Sequence, residues 1–545
     1  QGFSAFIGTN LDALLAAHGV DAVAIAGVHL HACVRQTALD AYQRGLTTTI
    51  LEDAVGSDDP LHAAITRRYL EARAIRFVPA SAHAHAQGMT STPSTLESTL
   101  VTPSPSLDAA LTGLVAHRAA WADLSPEARA AALDRFADGL AALEPVLVEA
   151  LVDTIAKPAP MASGEVRRAV ALARAAAAQV RQAATTHAVR AAGPTSQVRW
   201  RPQGVVLAIT PYNNPVAIPI GKLAPALGFG NVVLWKPAPL ASSVAEILAP
   251  LLTACFGPAL ALVHGDAELA RAAMADPRVD AVTLSGSSLA GHAAAEICAR
   301  RRIPLQAELG GNNAALVWHD TDLARAAALV ADGAFAFAGQ RCTANRRAIV
   351  DASIHDAFVA HLRTATRSLT IGPARDPSTR VPPMVSPLHA ERVREVLVRA
   401  EAAGCTLVVP HTEPLDPSLA LGEAFCAPTL VLVPPHLAAS EIALEETFGP
   451  VLAVQAAATW DDALRLEAQT RHGLVAALFS ASPERRRAFL EATRAGLLKL
   501  DQATADADAE APFGGWKASG IGPPEHGPGN AAFYLRPQAV YGDLP

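Results

Sequence analysis

The chain has 545 residues, a net charge of −7, 51% hydrophobic residues and 17% charged residues. This length exceeds what one hydrophobic core supports, so about three domains are expected. The charge is modest for the size and no Lys/Arg cluster stands out, which excludes an electrostatic case for nucleic-acid binding. The 6 cysteines form no C-x-x-C pair and have no His partners at metal-ligand spacing, so neither a disulfide framework nor a metal site is predicted.

The apolar runs and the N-terminus of the sequence indicate where in the cell we expect the protein. No apolar run has membrane-spanning length and no basic-then-apolar signal peptide is present, so we expect no membrane contact and a cytoplasmic location. The chain begins at Gln1 rather than Met, from which we expect it to be part of a longer polypeptide.

Residues 1–80 alternate between strand and helix patterns. Helices are predicted at 11–18, 35–44 and 61–74, and strands at 21–28 and 47–51. This βαβ order predicts a parallel sheet. A Ser/Thr/Pro/Ala/His-rich stretch at 81–106 then reads as an interdomain linker.

The remainder of the chain predicts two larger α/β regions. An Ala-rich helical region is expected from Asp108 to Arg190, because alanine favours helix. Strands are predicted near 205–209, 232–234, 261–264, 281–284 and 305–309, with helices between them. That order indicates a doubly wound, dinucleotide-binding sheet. A second α/β region follows at 309–498, and a tail strand is expected at 533–540.

Two short segments 34 residues apart suggest covalent chemistry. Glu308 precedes two glycines and offers a carboxylate base, while Cys342 follows Gly339-Gln340-Arg341 and offers a thiol nucleophile. Each has a plainer interpretation. A cysteine after an apolar Ala/Phe run is usually an inert core thiol, and a glutamate before two glycines is usually a turn residue or a surface charge.

The accompanying motifs favour the chemical interpretation. They are Thr210-Pro211-Tyr212-Asn213, Trp235-Lys236-Pro237, Ser285-Gly286-Ser287 with Gly291, Glu445-Glu446-Thr447-Phe448-Gly449-Pro450 and Pro512-Phe513-Gly514-Gly515-Trp516. In this order they make residues 107–545 resemble the aldehyde dehydrogenase superfamily. The resemblance implies an α/β fold with a Rossmann-like cofactor domain at 107–308, a catalytic domain at 309–498, and a C-terminal segment at 499–545. That last segment would return to the cofactor domain and end in an oligomerisation strand.

The resemblance also implies roles for three residues. Cys342 would be the nucleophile, and the side-chain amide of Asn213 would stabilise the oxyanion together with the backbone N–H of Cys342. Asn214 is its competitor, but the family motif places the catalytic amide at Asn213. Glu308 would activate the water that hydrolyses the thioester. Since relatives that transfer the acyl group to coenzyme A generally lack this glutamate, the expected product is a free carboxylic acid.

Cofactor contacts are implied in the same way. The expected positions are Ile209, Thr210, Pro211, Lys236, Pro239, Gly265, Gly286, Ser287, Gly291, Leu309, Glu446 and Phe448. Phe448 could equally be an ordinary core aromatic. Many NAD-preferring relatives carry a glutamate three residues beyond the lysine, where this chain has Pro239, so NADP is not excluded and NAD is favoured only slightly.

The sequence says less about substrate and assembly. Arg341, Arg346 and Arg347 flank the nucleophile and would suit an acidic semialdehyde, although arginines near this segment more often serve packing. The Asn312-Asn313 variant of the glycine motif also occurs among relatives acting on semialdehydes. A small aldehyde substrate and a homodimer or homotetramer are what the resemblance implies.

The N-terminal segment has a second resemblance. Gly27-Val28-His29-Leu30-His31-Ala32-Cys33 and the helix after it are similar to the C-terminal half of isochorismatase-like cysteine hydrolases. Cys33 at a helix start would have a lowered pKa. The family's Asp and Lys partners would fall before Gln1. This leaves a fused amidohydrolase or a degenerate assembly domain. Cys33-dependent amide hydrolysis as the main activity, and a non-catalytic scaffold, stay as alternatives to the dehydrogenase.

Overall fold

The computed structural model describes residues 11, 15, 20, 22–28, 34–44, 46–56, 66–67, 70, 75–78, 105–186, 190–193, 196–409, 419, 421–505 and 507–542. The chain separates into two compact units, Gln1–Thr102 and Pro103–Pro545. Cys33 lies outside the described residues, as do most of the helices predicted at 11–18 and 61–74 and most of the linker predicted at 81–106.

The first unit contains a parallel sheet. Its strands are β1 (Ala22–Val28), β2 (Thr47–Gly56) and β3 (Arg76–Val78), in that order, and helix α1 (Arg35–Gln43) connects the first two. Ile25, Ala38 and Ile50 are buried between the helix and the sheet. The predicted βαβ arrangement is therefore present, and the strand predicted at 47–51 continues to Gly56.

The second unit holds all the other described elements. Its strands are β4 (Arg190–Gly193), β5 (Ser196–Pro202), β6 (Val205–Thr210), β7 (Val232–Pro237), β8 (Leu260–Leu262), β9 (Ala281–Ser285), β10 (Leu305–Glu308), β11 (Asn313–Val317), β12 (Asn345–Asp351), β13 (Thr406–Val408), β14 (Thr429–Val433), β15 (Val451–Ala457), β16 (His472–Gly473), β17 (Val475–Phe479), β18 (Leu497–Leu500), β19 (Trp516–Lys517), β20 (Gly520–Ile521) and β21 (Leu535–Tyr541). Its helices are α2 (Leu107–Ala122), α3 (Pro126–Ala142), α4 (Glu144–Ile155), α5 (Ala159–Thr186), α6 (Ala217–Gly228), α7 (Ser242–Phe256), α8 (Ala267–Ala275), α9 (Ser288–Arg301), α10 (Leu323–Phe335), α11 (His355–Arg367), α12 (Pro387–Ala402), α13 (Glu441–Leu444), α14 (Trp460–Ala468), α15 (Pro483–Ala492) and α16 (Gly529–Tyr534).

The first large sheet is doubly wound, as predicted. Its strand order is β20-β10-β9-β6-β7-β8, parallel except for β20. The chain runs outward from β6 through β7 to β8 and then resumes on the other side with β9 and β10. The strand order thus reverses between β6 and β9, and ligands of such sheets bind at the carboxyl ends of the strands beside this point. Residues of β6, β7 and β9 are almost all buried, as helices on both faces require.

The structure corrects two sequence predictions, which concern helices α7 and α5. The expectation that no apolar run has membrane-spanning length is wrong, because the stretch Pro239–Ala259 is long and apolar enough to cross a membrane by length and composition alone. Its helix α7 instead packs Val244, Leu248 and Leu252 into the core of the sheet. The helical region predicted to Arg190 ends earlier, with α5 at Thr186, and Arg190 begins β4.

The second large sheet carries the thiol candidate. Its strand order is β13-β14-β15-β12-β11-β17-β18, parallel except for β13. A smaller antiparallel sheet, β21-β5-β4, forms an arm. The tail strand predicted at 533–540 begins two residues later than expected. Phe533 and Tyr534 belong to α16 instead, because both rings are buried in the core of the first large sheet.

Candidate active site

The site candidates gather where the carboxyl ends of the first large sheet meet the second. Strand β6 ends with Ile209 and Thr210, and Asn213 follows in the loop before α6. Strand β10 ends at Glu308, and Gly310 and Gly311 lead directly into β11. Cys342 lies in the loop before β12, which pairs with β11. The two sheets therefore bring the three predicted catalytic residues to a common region.

The loop before Cys342 has a strained backbone. Phe337, Ala338 and Gly339 have φ values of 56°, 50° and 69°, in the left-handed region. Each non-glycine residue there costs about 1–2 kcal/mol. A Cβ at Gly339 would lie 2.2 Å from the Gly449 carbonyl oxygen, so this position needs glycine. Arg346 supports the loop, because its guanidinium donates to the carbonyls of Gly339 and Gly449.

Asn213 and Asn214 face different partners. The Nδ2 of Asn213 donates to the Gln340 carbonyl oxygen at 3.0 Å, two residues before Cys342. The Oδ1 of Asn214 instead accepts from the Lys157 Nζ at 2.6 Å. The amide donor that reaches the nucleophile loop is therefore that of Asn213, the one chosen from the sequence.

A buried ion pair that sequence reasoning missed supports this loop. Lys157 Nζ donates to the carboxylate of Glu165 and to the Asn213 carbonyl oxygen at 2.9 Å. Glu165 Oε1 accepts from the backbone N–H groups of Val216 and Ala217 at 2.8 and 3.0 Å, where α6 begins. The same ammonium lies 5.0 Å from the ring centre of Phe337. One lysine thus links the Asn213 loop with the nucleophile loop.

Glu308 is a buried carboxyl beside a second missed ion pair. It accepts from the Gly515 N–H at 3.2 Å, and its pKa is raised well above the usual value by burial and by nearby Glu525, against the effect of Lys222. Lys222 itself bonds Glu525 and donates to the Thr283 hydroxyl at 3.1 Å. A buried carboxyl whose pKa is raised in this way holds a proton more readily than an exposed glutamate, which suits a group that takes a proton from water.

Glu446 lies over the glycines that follow Glu308. Its Oε1 accepts from the Gly311 N–H at 3.2 Å, and a Cβ at Gly310 would meet its Oε2 at 2.2 Å. Burial raises its pKa to about 7, against the effects of Arg346 and that N–H. Phe448 is half-buried, with its ring centre 5.7 Å from the guanidinium of Arg346.

The charges around Cys342 favour a neutral thiol at rest. Burial, then Glu446, Glu308 and Glu525, raise its pKa to about 12, while Arg168 acts in the opposite direction. The side chain retains partial exposure, so a small molecule can reach it. Attack on a carbonyl therefore needs a base to take the thiol proton, and Glu446 and Glu308 are the carboxyls whose charges act on it.

The expected cofactor residues line the carboxyl ends of β6, β7 and β9. Ser287 is exposed at the N-terminus of α9, which is suited to a pyrophosphate. Lys236 is buried at the end of β7, and among the described residues its ammonium makes no hydrogen bond, which leaves it available to ribose hydroxyls. A Cβ at Gly291 would meet Leu309 at 2.4 Å, so this glycine allows close packing of α9. The remaining expected positions lie close by: Thr210 ends β6 and Pro211 follows it, exposed Pro239 follows β7, and Gly265 and Gly286 precede α8 and α9. These residues fit a dinucleotide.

The arginines beside Cys342 are structural. Arg347 is fully buried and donates to the carbonyls of Asn312, Leu466 and Glu467. Arg346 donates to the carbonyls of Gly339 and Gly449, as described above. Arg341 donates to the carbonyls of Asp332 and Gly333. These main-chain contacts support the packing role that the sequence favoured for Arg346 and Arg347 over a carboxylate-binding role.

Comparison with known proteins agrees with this geometry. The sequence profile of the aldehyde dehydrogenase family matches residues 101–540, and that of the isochorismatase domain matches residues 1–76. The alpha-ketoglutarate semialdehyde dehydrogenase of Haloferax volcanii is 33% identical over 440 residues, covering 79% of this chain and 90% of that protein. The 3,6-anhydro-alpha-L-galactose dehydrogenase of Streptomyces coelicolor is 32% identical over 444 residues, covering 80% and 89%.

Comparison of the fold with solved structures supports the same family. The crystal structure of an NAD-dependent aldehyde dehydrogenase from Sinorhizobium meliloti superposes with a TM-score of 0.74 at 29% identity, covering 81% of this chain and 87% of that one. Both the profile match and the fold extend over the sheets that carry Cys342, Asn213 and Glu308. The chain belongs to the aldehyde dehydrogenase family.

Proposed function

We propose that this protein oxidises an aldehyde to a carboxylic acid with NAD or NADP, through covalent catalysis at Cys342. The observation that carries the proposal is the set of groups around one partly exposed thiol. The Asn213 amide reaches its loop, and the charges of Glu308 and Glu446 act on it. The NAD-dependent relative of similar fold supports the choice of cofactor, and NAD is slightly favoured.

The chemistry balances with these residues. A carboxylate takes the Cys342 proton, and the sulfur attacks the aldehyde carbon to give a tetrahedral oxyanion that the Asn213 amide and the Cys342 N–H stabilise. A nicotinamide dinucleotide held by Lys236 and the N-terminus of α9 would supply the acceptor for the hydride of this carbon, and Cys342 would then carry the acyl group as a thioester. Glu308 then removes a proton from water, which attacks the thioester and releases the acid and the free thiol.

For the substrate we propose an aldehyde that also carries a carboxylate. Arg168, which sequence reasoning missed, is half-buried on α5. One of its N–H groups donates to the Ala507 carbonyl oxygen at 2.6 Å, and its charge acts on Cys342. A relative at 33% identity is named for a semialdehyde, although another at 32% is named for a sugar aldehyde. The sequence signal for Arg168 was its place three residues after Glu165, one helical turn further along α5.

The test compares matched aldehydes in the presence of each cofactor. Initial rates of reduced-cofactor formation would be measured with succinic semialdehyde and butanal. Cys342→Ala should abolish turnover with both while cofactor binding persists. Arg168→Gln should raise the ratio of the KM for the semialdehyde to the KM for butanal by about tenfold or more, as expected for a charged hydrogen bond, whatever it does to the rate with both aldehydes through the thiol. Arg167→Gln, at the exposed neighbouring position, is the control. Undiminished turnover by Cys342→Ala would refute the mechanism.

A second activity is proposed for the N-terminal unit. The profile match to residues 1–76, together with the Cys33 motif, favours the hydrolytic half of a cysteine amidohydrolase. A chain extended upstream of Gln1 would be assayed for ammonia release from amides, with and without Cys33→Ser. Equal release by the two proteins would leave the unit with an assembly role only.

A further inference from the structure

A cavity of about 570 Å³ lies beside the arm, away from the proposed active site. It adjoins Gly204, Gly230 and Asp280, which lie at or near the amino ends of β6, β7 and β9. The active-site residues follow the carboxyl ends of the same sheet. A six-residue strand such as β6 spans about 20 Å, so the cavity and the thiol lie on opposite edges of the sheet.

The cavity wall is strongly basic in a protein of negative net charge. Four arginines line it, Arg118, Arg199, Arg201 and Arg536, against one carboxylate, Asp280. That carboxylate is already engaged, because its Oδ2 accepts from the Val205 N–H at 2.8 Å. Its distance to the Arg118 guanidinium is 3.9 Å, too long for a hydrogen bond. The formal charge of the wall is therefore +3.

Three of these arginines lie close together because of the pairing of β5 with β21. Arg201 of β5 lies directly opposite Arg536 of β21, and Arg199 lies two residues from Arg201 on the same face. Opposed residues of antiparallel strands have Cβ atoms about 5 Å apart, and like charges in such pairs are destabilising. Among the described residues neither Arg201 nor Arg536 has a carboxylate partner. The repulsion is relieved when a multivalent anion bridges the two side chains.

The shape of the cavity also suits a small molecule. Its volume falls within the usual range of ligand pockets, about 300–1,000 Å³. Ala119, Ala122 and Pro537 supply an apolar part of the wall. Planar guanidinium groups bind phosphate oxygens in pairs. We propose that this cavity binds a phosphate-class oxyanion carrying two or more negative charges, free or as part of a nucleotide.

The test is binding to the full chain by isothermal titration without NAD, in which the arginine variants of the cavity distinguish binding there from binding at the cofactor site. The probes are inorganic phosphate, pyrophosphate and ADP. Saturable binding of pyrophosphate is expected, and Arg201→Gln and Arg536→Gln should each weaken it about tenfold or more. Arg300→Gln removes an exposed arginine elsewhere and should change it less than about twofold. Tighter ADP than pyrophosphate would identify a nucleotide as the ligand, and the reverse a free anion.

Two further readouts make the result decisive. Without anion, Arg201→Gln should keep or raise the melting temperature, since it removes a like-charge pair. Its dehydrogenase rate should be unchanged, because the cavity lies far from the thiol. Absence of saturable binding, or equal binding by all variants, would overturn the proposal. So would loss of oligomer in the Arg201 and Arg536 variants without any anion effect, which would make the cluster a contact between copies.

Discussion

Replacing Lys157 by Met tests whether the buried ion pair positions the oxyanion donor. Lys157 is 2% exposed and holds three groups at once: Glu165, the Asn213 carbonyl and the Asn214 amide oxygen. Methionine keeps the length and apolar character of the side chain but donates no hydrogen bond. It leaves Glu165 buried without its counter-charge, although the carboxylate still accepts from the start of α6.

The expected losses follow from these contacts. Breaking a buried pair by removing one partner costs about 3–5 kcal/mol of stability. Because the freed Asn213 loop no longer fixes the amide, kcat should fall about 10²-fold, the effect of misplacing a catalytic group by about 1 Å. KM and cofactor affinity should change little, since Lys157 contacts neither the cofactor residues nor the substrate side of the thiol. Lysine burial already lowers the pKa of the ammonium, with Glu165 opposing that shift.

The assay combines urea unfolding with steady-state kinetics for Lys157→Met, Glu165→Gln and the double variant. A direct contact predicts that the double variant loses less stability than the sum of the two single variants, by about 1 kcal/mol or more. An Asn213→Ala background should abolish most of the kcat effect of Lys157→Met, because the lysine acts through that amide. Additive stabilities, or a kcat loss that persists in full without the Asn213 amide, would refute the reasoning.

Three other changes probe the same region. Gly311→Ala places a Cβ 2.7 Å from the Cys342 carbonyl oxygen, so turnover should fall at least about 10²-fold by rate assay, whereas Gly113→Ala has open space and should keep full activity. Arg347→Met should lower the urea midpoint, since three carbonyls lose their donor, yet leave the KM ratio of acidic to neutral aldehyde unchanged. The raised pKa of Glu446, about 7, means that its contribution to stability is fully present below its unfolded pKa near 4.5 and is lost as pH rises to about 7. Glu446→Gln should therefore flatten the decline in urea midpoint between pH 5 and 7.

Local motifs made much of the site predictable. Cys342, Glu308 and Asn213 each sit in a short run whose glycines or turns are visible in the sequence, and the strand succession from Val205 to Glu308 predicts where the carboxyl ends meet. The choice of Asn213 over Asn214 follows from position in such a motif. A strand order that reverses between β6 and β9 then places these runs together.

The supporting charges could not be found in this way. Lys222 and Glu525 are separated by 303 residues, so their pairing depends on how α6 packs against the C-terminal segment. The roles of Arg346 and Arg347 also depend on the tertiary fold. The sequence left both a substrate contact and packing open for them, and in the structure both side chains donate to main-chain carbonyls.

The charges of the site determine when the Cys342 thiol ionises. Burial and three carboxyls raise the pKa of Cys342, and burial also raises the pKa values of Glu308 and Glu446, so burial opposes ionisation of all three groups. The resting protein thus holds a neutral thiol, which reacts slowly with oxidants and alkylating agents. The positive nicotinamide of an oxidised cofactor and the charge of Arg168 both favour the thiolate. Binding of the oxidised cofactor therefore favours ionisation of Cys342, which couples activation of the nucleophile to the presence of the hydride acceptor.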